Sequence, residues 1–332
     1  MSKVGVVVIG RNEGNRLKSC LLSVLGENRV IVYVDSGSTD KSVELANSLG
    51  VNVVELNLSV PFTAARARNQ GFEYLLKIEP DIEFVQFVDG DCRILQEWWS
   101  PATQELQIQP NVVVVCGRRQ EQFPEKSIYN RLCDIEWDTP IGEAKACGGD
   151  AMMRVAALQQ VGGFNPKLIA GEEPELCLRL RQAGGKIMRI DAPMTIHDAQ
   201  MTNFPQWWKR SLRAGHAYAE GSWLHGKTPE KYWVKESHSI WIYGFILPTL
   251  AVVLMLPSYG LSIVFLVAVY AYLGYRVYSF AKSQELSSSD AILYSLFCII
   301  GKFPQAQGQI QFHLGKLLQR QSKLVEYKKV VS

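Results

Sequence analysis

The chain has 332 residues, 47% of them apolar and 20% charged, with a formal net charge of +3. That balance is ordinary for a globular protein and too weakly basic to argue for a nucleic-acid partner. The seven cysteines (Cys20, Cys92, Cys116, Cys133, Cys147, Cys177 and Cys298) form no Cys-x-x-Cys pair, so neither a zinc site nor a disulfide framework is indicated, and reduced thiols fit a cytosolic setting.

Met1-Ser2-Lys3 leads into "VGVVVIG" (Val4–Gly10), an apolar run expected of a strand buried on both faces rather than of a signal peptide. In "NRLKSCLLSVLG" Leu17, Leu21, Leu22 and Leu25 recur at helical spacing, with Gly26 placed to end the helix. "VIVYVDSGSTD" reads as a second strand, after which Ser38 or Thr39 would cap a helix over residues 40–49 that Gly50 closes. A strand "VNVVEL", a helix "TAARARNQGFEYLLKI", a strand "FVQFVD", a helix "LQEWWSPATQELQI" and a strand "NVVVVCG" follow. Alternation of this kind predicts an α/β domain with a mostly parallel, helix-covered sheet over residues 1–200.

The character then changes. "NFPQWWKRSLRAGHAYAEG" (203–221) is basic, aromatic and amphipathic, within an expected interfacial segment over 201–238. Residues 240–256 hold no charge across 17 positions, and after "PSYG" residues 261–275 are again uncharged. Seventeen helical residues span about 26 Å against a hydrocarbon core of about 30 Å, so two transmembrane helices over 239–280 are expected, the alternative being two buried helices of a soluble domain. "AILYSLFCIIG" (291–301) is too short to span and suits an interfacial or re-entrant helix, with a basic tail completing 281–332. The tail "GKLLQRQSKLVEYKKVVS" carries five basic residues and one acidic, which places both termini in the cytoplasm by the positive-inside rule and the protein in the plasma membrane.

The chemistry centres on "FVDGD". Asp89 and Asp91 stand at the end of an apolar strand, where ligands of open α/β sheets bind. Two carboxylates separated by one small residue either grip a divalent cation, Mg2+ or Mn2+, or shape a solvated turn. Asp35 also ends a strand and would accept from a ribose or a base edge, or serve a helix-capping turn. His197 would add a nitrogen ligand or a structural hydrogen bond. Glu172 and Glu173 either complement a helix dipole or present a general base. Neither G-x-G-x-x-G nor a P-loop pattern occurs.

Taken together, "VVVIGRNEGNRLKSCLLSVL", "VDSGSTDKSVELA", "AARARNQG", the "DGD" of a D-x-D motif, "CGGDAMMR" and "GEEPELCLRLRQAGGKI" resemble glycosyltransferase family 2, in family order over roughly residues 4–200. The resemblance implies the GT-A fold and inverting transfer from a nucleotide-sugar, a UDP-sugar being the commoner donor. It implies that Gly10, Arg11 and Glu13 line the nucleotide pocket, that Asp35 faces the base or ribose, and that residues 66–69, among them Arg66 and Asn69, lie near the nucleotide. Asp89 would sit by ribose and metal, and Asp91 would coordinate the metal. Gly148, Gly149 and Asp150 would border sugar and acceptor. The family usually carries Glu-Asp where this chain has Glu172-Glu173, so the base position holds a glutamate, Glu173, with Glu172 beside it.

The expected protein is a membrane-associated hexosyltransferase acting on a lipid-linked or membrane-proximal acceptor, as in polysaccharide or glycolipid assembly. A nucleotide-sugar-binding membrane protein without transferase activity is the alternative. Two spans are too few for a processive synthase channel, and spans without internal ionisable residues make a poor transporter.

Overall fold

The computed structural model describes residues 3–319. Its described residues form two compact units: 3–123 with Glu136–Gln200, and Pro124–Ile135 with 201–319.

In the first unit the order is β1 (Val4–Gly10), α1 (Asn15–Val24), β2 (Arg29–Asp35), α2 (Ser42–Ser48), β3 (Asn52–Glu55), α3 (Ala64–Ile78), β4 (Phe84–Asp89), β5 (Cys92–Ile94), α4 (Trp99–Ile108) and β6 (Val112–Glu121). Then come α5 (Ile128–Trp137), most of which belongs to the second unit, β7 (Gly142–Ala144), β8 (Ala151–Arg154), α6 (Val155–Gln160), α7 (Glu172–Gln182) and β9 (Lys186–His197). The sheet runs β3-β2-β1-β4-β8-β6-β9-β5, with β7 on β9. β1 to β4 pair in parallel and β6 is parallel to β9, but β8, β5 and β7 are antiparallel to their neighbours. The sheet is therefore mixed. The added strands hold three or four residues each, too few for a hydrophobic period to register in the sequence.

β1 and β4 bury nearly every side chain, as strands covered on both faces must. Helix α3 comes so close that a Cβ on Gly71 would fall 2.4 Å from Val7 Cγ1. Thr63 caps this helix, accepting from the Arg66 N–H at 3.1 Å. Deeper in the core, Gln86 on β4 is fully buried and accepts from Trp98 Nε1 at 2.7 Å, which satisfies both polar groups. Two helix ends differ from expectation. α2 starts at Ser42, because Ser38 and Thr39 hydrogen-bond to Asp35 and Asn12 instead of capping it. α1 stops at Val24, where Leu25 turns extended one residue before Gly26.

The second unit is helical: α8 (Phe204–His225), α9 (Val234–Trp241), a π-turn over Ile242–Ile246, α10 (Leu247–Val253), α11 (Leu261–Ser283), α12 (Ser288–Ile300) and α13 (Lys302–Leu317). α8 and α13 cross at small residues; a Cβ on Gly215 would lie 2.0 Å from the Gln305 carbonyl, and one on Gly308 would lie 2.1 Å from that of Leu212. The 203–221 segment is thus a packed helix with Trp207, Leu212 and His216 buried, not only a surface strip. Residues 302–317, expected in the tail, are its partner helix. Residues 320–332 of the basic tail lie outside the described residues.

Among the described residues α11 alone is long and apolar enough to cross a membrane, with mean hydropathy 1.6 and none of its apolar window buried. The other expected span is divided by the π-turn, with Pro248 at the start of α10. A transmembrane hairpin is therefore not established by the fold.

Candidate active site

The carboxyl ends of β1, β2 and β4 finish level, with Gly10 beside Asp35 and Ile9 beside Asp89. β8 runs the opposite way, so residues 147–150, which lead into it, arrive at the rim where the parallel strands leave. Both kinds of strand deliver loops to one edge, the usual place for a ligand.

Asp89 ends β4. Its Oδ1 accepts from Arg68 Nη2 at 2.7 Å, and its Oδ2 lies 3.6 Å from Arg119 Nη2. Gly90 donates its N–H to the Ile9 carbonyl at 2.7 Å, and a Cβ there would lie 3.1 Å from that oxygen, so the approach of β1 calls for a small residue between the aspartates. Asp91 is buried, with Oδ2 3.2 Å from His197 Nε2. Sheet register brings the pair together: β5 opens just after Asp91 and runs antiparallel to β9 with Cys92 opposite His197. Burial, reinforced by the Arg119 charge, pushes the His197 pKa down to about 4, so its imidazole is neutral and has a lone pair to offer. The Trp137 ring packs on it at 4.7 Å between centroids.

Asp150 is fully enclosed. Its Oδ1 accepts the Asp89 N–H at 3.0 Å, and its Oδ2 accepts from Arg119 Nε and Thr195 Oγ1, each at 3.0 Å. It anchors Asp89 and Arg119 from behind the pocket. Burial works against the Arg119 charge, but the Asp150 carboxylate outweighs it and raises the arginine above its usual range. A side chain at Gly149 would displace its neighbours, since a Cβ would lie 2.8 Å from Asp89 Oδ2 and 2.9 Å from Arg68 Nη2.

Glu172 and Glu173 open α7, and both are buried. Glu172 Oε1 accepts from Arg68 Nη1 at 2.9 Å, so one guanidinium joins the end of β4 to the start of α7. Glu173 Oε1 accepts the Cys147 N–H at 2.7 Å and the thiols of Cys147 and Cys177 at 3.0 Å each.

Ligand atoms of Asp91, Cys92 and His197 lie within 4.8 Å of one another, as do those of Asp89, Cys92 and Asp150. Asp89 and Glu172 pair with Arg68, Asp89 and Asp150 with Arg119, and Asp91 with His197. Carboxylate oxygens suit a divalent cation such as Mg2+ or Mn2+, and the neutral His197 imidazole adds a nitrogen donor.

Other expected pocket residues are largely spent on structure. Asp35 is buried and accepts from Tyr33 Oη at 2.8 Å and from the Gly37 and Ser38 N–H groups at 2.9 and 2.7 Å, so it holds its own turn. Arg66 clasps the Asn57 and Val60 carbonyls at 2.7 Å each. Asn69 exchanges two hydrogen bonds with the Phe164 backbone, at 2.7 and 2.9 Å. Glu13 pairs with Arg16 at 2.7 Å, while Arg11 lies over the Phe62 ring at 4.6 Å. Gly10 is at the rim, where the Tyr33 ring would meet any side chain at 3.3 Å.

Residues 5–161 match the family described as Glycosyl transferase family 2. The chain carries a family 2 glycosyltransferase domain. Among relatives, it is 26% identical over 229 residues to the pre-mycofactocin glycosyltransferase of Mycobacterium tuberculosis, covering 65% of this chain and 47% of that one. It is 22% identical over 193 residues to the succinoglycan biosynthesis protein ExoA of Rhizobium meliloti, covering 55% and 58%. The chain thus spans about half the length of these curated relatives. Its fold is like that of the mannosyltransferase PcManGT from Pyrobaculum calidifontis, solved in complex with GDP-Man and Mn2+, with a TM-score of 0.61, 15% identity and coverage of 95% and 88%.

For a family 2 domain, Arg119 is the residue that the sequence did not announce, and Arg68 stood in the 66–69 stretch expected near the nucleotide without a role of its own. Arg68 had a signal. It interrupts the small face of α3, between Ala65, Ala67 and Gly71, where a buried arginine must have partners. Arg119 had none, because its strand reads as fraying into polar residues.

Proposed function

We propose that the protein is an inverting hexosyltransferase that moves a sugar from a nucleoside-diphosphate donor, a UDP-sugar, to a hydroxyl of a lipid-linked or membrane-proximal acceptor at the cytoplasmic face of the plasma membrane. The observation that carries the reading is the Asp91–His197 pair, 3.2 Å apart, with Asp89 two residues before Asp91, at the carboxyl rim of a family 2 domain. Asp89, Asp91 and His197 would hold Mg2+ or Mn2+, which when bound supplies positive charge to the departing diphosphate. PcManGT, with its Mn2+ and GDP-Man, supports this class of donor.

This chain's residues do the rest. Arg68 and Arg119 fix the Asp89 carboxylate on either side. Glu173 takes the proton of the acceptor hydroxyl, which attacks the anomeric carbon from the face opposite the leaving group, so one displacement inverts the centre. Glu172 is committed to Arg68, whereas Glu173 is oriented through one oxygen by a backbone N–H and two thiols. That contrast favours Glu173 as the base. Membrane association is supported by α11, whose Leu261, Val264, Phe265 and Val267 are exposed.

The test is a thermal-shift screen of UDP-, GDP- and dTDP-sugars with and without Mn2+, followed by transfer assays. A UDP-sugar should raise the melting temperature only with the metal, since a ligand stabilises by RT ln(1 + [L]/Kd). Asp91→Ala should abolish that shift. Glu173→Gln should keep it and lower turnover by about 10²–10⁴-fold. Wild-type turnover in either variant would refute the assignment.

A further inference from the structure

We propose that Cys147, Cys177 and Glu173 form a second, inhibitory metal site, selective for a thiophilic divalent cation such as Zn2+ and separate from the Asp89–Asp91–His197 cluster. The three ligand atoms lie within 4.8 Å of one another. Glu173 and Cys177 stand four residues apart on one face of α7, the spacing by which a helix presents two ligands to one ion, and Cys147 comes from the loop leading into β8. The Cys147 and Cys177 sulfurs are 3.6 Å apart. Two thiolates on a tetrahedral zinc, with Zn–S near 2.3 Å, lie about 3.8 Å apart. The sulfurs thus hold nearly the separation such an ion needs.

Each thiol now donates to Glu173 Oε1 at 3.0 Å, so the two S–H protons mark the place of the cation. Binding exchanges these two protons for one Zn2+. Both thiols become thiolate ligands, the carboxylate becomes the third, and two protons leave to solvent. Cys177 and Glu173 are buried while Cys147 is only partly so, which gives the ion an entrance and leaves a fourth position for water, as in open zinc sites. Two sulfur ligands in one set select against Mg2+ and Mn2+, whereas the Asp91–His197 side offers a single thiol, Cys92, among oxygen and nitrogen donors. No Cys-x-x-Cys spacing announces the site, because its cysteines are 30 residues apart and meet only through the fold.

Occupation would tie up the carboxylate that takes the acceptor proton. That inhibitory consequence rests on Glu173 being the base, whereas the binding does not. The experiment uses the reduced full-length protein with excess Mg2+ and titrates Co2+ as a spectroscopic substitute for zinc. A thiolate-to-cobalt charge-transfer band should saturate at one ion per chain, survive Cys298→Ser and vanish in both Cys147→Ser and Cys177→Ser. Absence of the band, or its persistence in either of the last two variants, would overturn the proposal. Should those variants misfold, the wild type decides by itself: zinc should slow alkylation of Cys147 by N-ethylmaleimide at least about tenfold, read by peptide mass spectrometry, and an unchanged rate would equally overturn it. Zinc should also suppress transfer by the wild type, reversibly with chelator. A cobalt band without zinc inhibition would keep the metal site and remove Glu173 from the role of base.

Discussion

At the scale of single residues, the site is organised by contacts that a linear motif does not display. Asp89, Asp91 and His197 were expected at strand ends, and sheet register brings Asp91 and His197 together. Asp35, Arg66 and Asn69 were legible as motif members, but their side chains close turns and loops, since a buried polar group takes the nearest partner available. Arg68 was expected only as part of the 66–69 stretch, although it touches both Asp89 and Glu172. Gly149 gives the sharpest test at this scale. A methyl there must push both the Asp89 carboxylate and the Arg68 guanidinium by a few tenths of an ångström. Gly149→Ala should therefore lower turnover by at least about tenfold, because small misplacements of catalytic groups are costly, and should shift the melting temperature little. Steady-state kinetics beside a thermal melt would check this; equal loss of both would mean that the glycine serves folding alone.

At the scale of elements, the long periodic segments were readable and the short ones were not. β1, β2, β4 and β6 and helices α1, α3 and α7 follow from apolar runs and helical spacing, whereas β5, β7 and β8 depend on neighbours supplied by the rest of the sheet. Close approach between elements is likewise invisible until the fold exists. Gly71→Ala should cost about 1–3 kcal/mol, the usual penalty of overpacking, because the added methyl meets both Val7 and Val34; a urea midpoint measured at unchanged slope would show it. In α8 burial raises the Glu220 pKa to about 7, with Lys316 opposing the shift. His216 Nδ1 lies 3.7 Å from the carboxylate, but burial lowers the His216 pKa to about 4 and keeps its imidazole uncharged. A carboxyl whose folded pKa is raised adds stability below its unfolded pKa and loses it as pH climbs through the folded value, here between about 4.5 and 7. Glu220→Gln should accordingly stabilise the protein at pH 8 by about 1 kcal/mol, a figure discounted for the solvent this side chain keeps, and leave it unchanged near pH 4. Melting curves across that range would decide; a gain that does not vary with pH would exclude the ionisation account.

At the scale of the whole molecule, the apolar surface of α11 predicts partition onto lipid. The protein should co-sediment with phospholipid vesicles, and Val264→Asp with Phe265→Asp should release most of it, since an aspartate at the centre of a span costs about 2.5–3.5 kcal/mol. Unchanged sedimentation of the double variant would remove α11 from the membrane. The helical unit also recruits Pro124–Ile135 from between two strands of the sheet, where Arg131 Nε and Nη2 meet the Asp290 carboxylate at 2.9 and 2.6 Å. Those partners are 159 residues apart, which a ribosome adding about 5–20 residues per second takes roughly 10 to 30 s to bridge. Throughout that delay the nascent α5 has emerged without the helix it docks on, making it a natural client for a holding chaperone during synthesis.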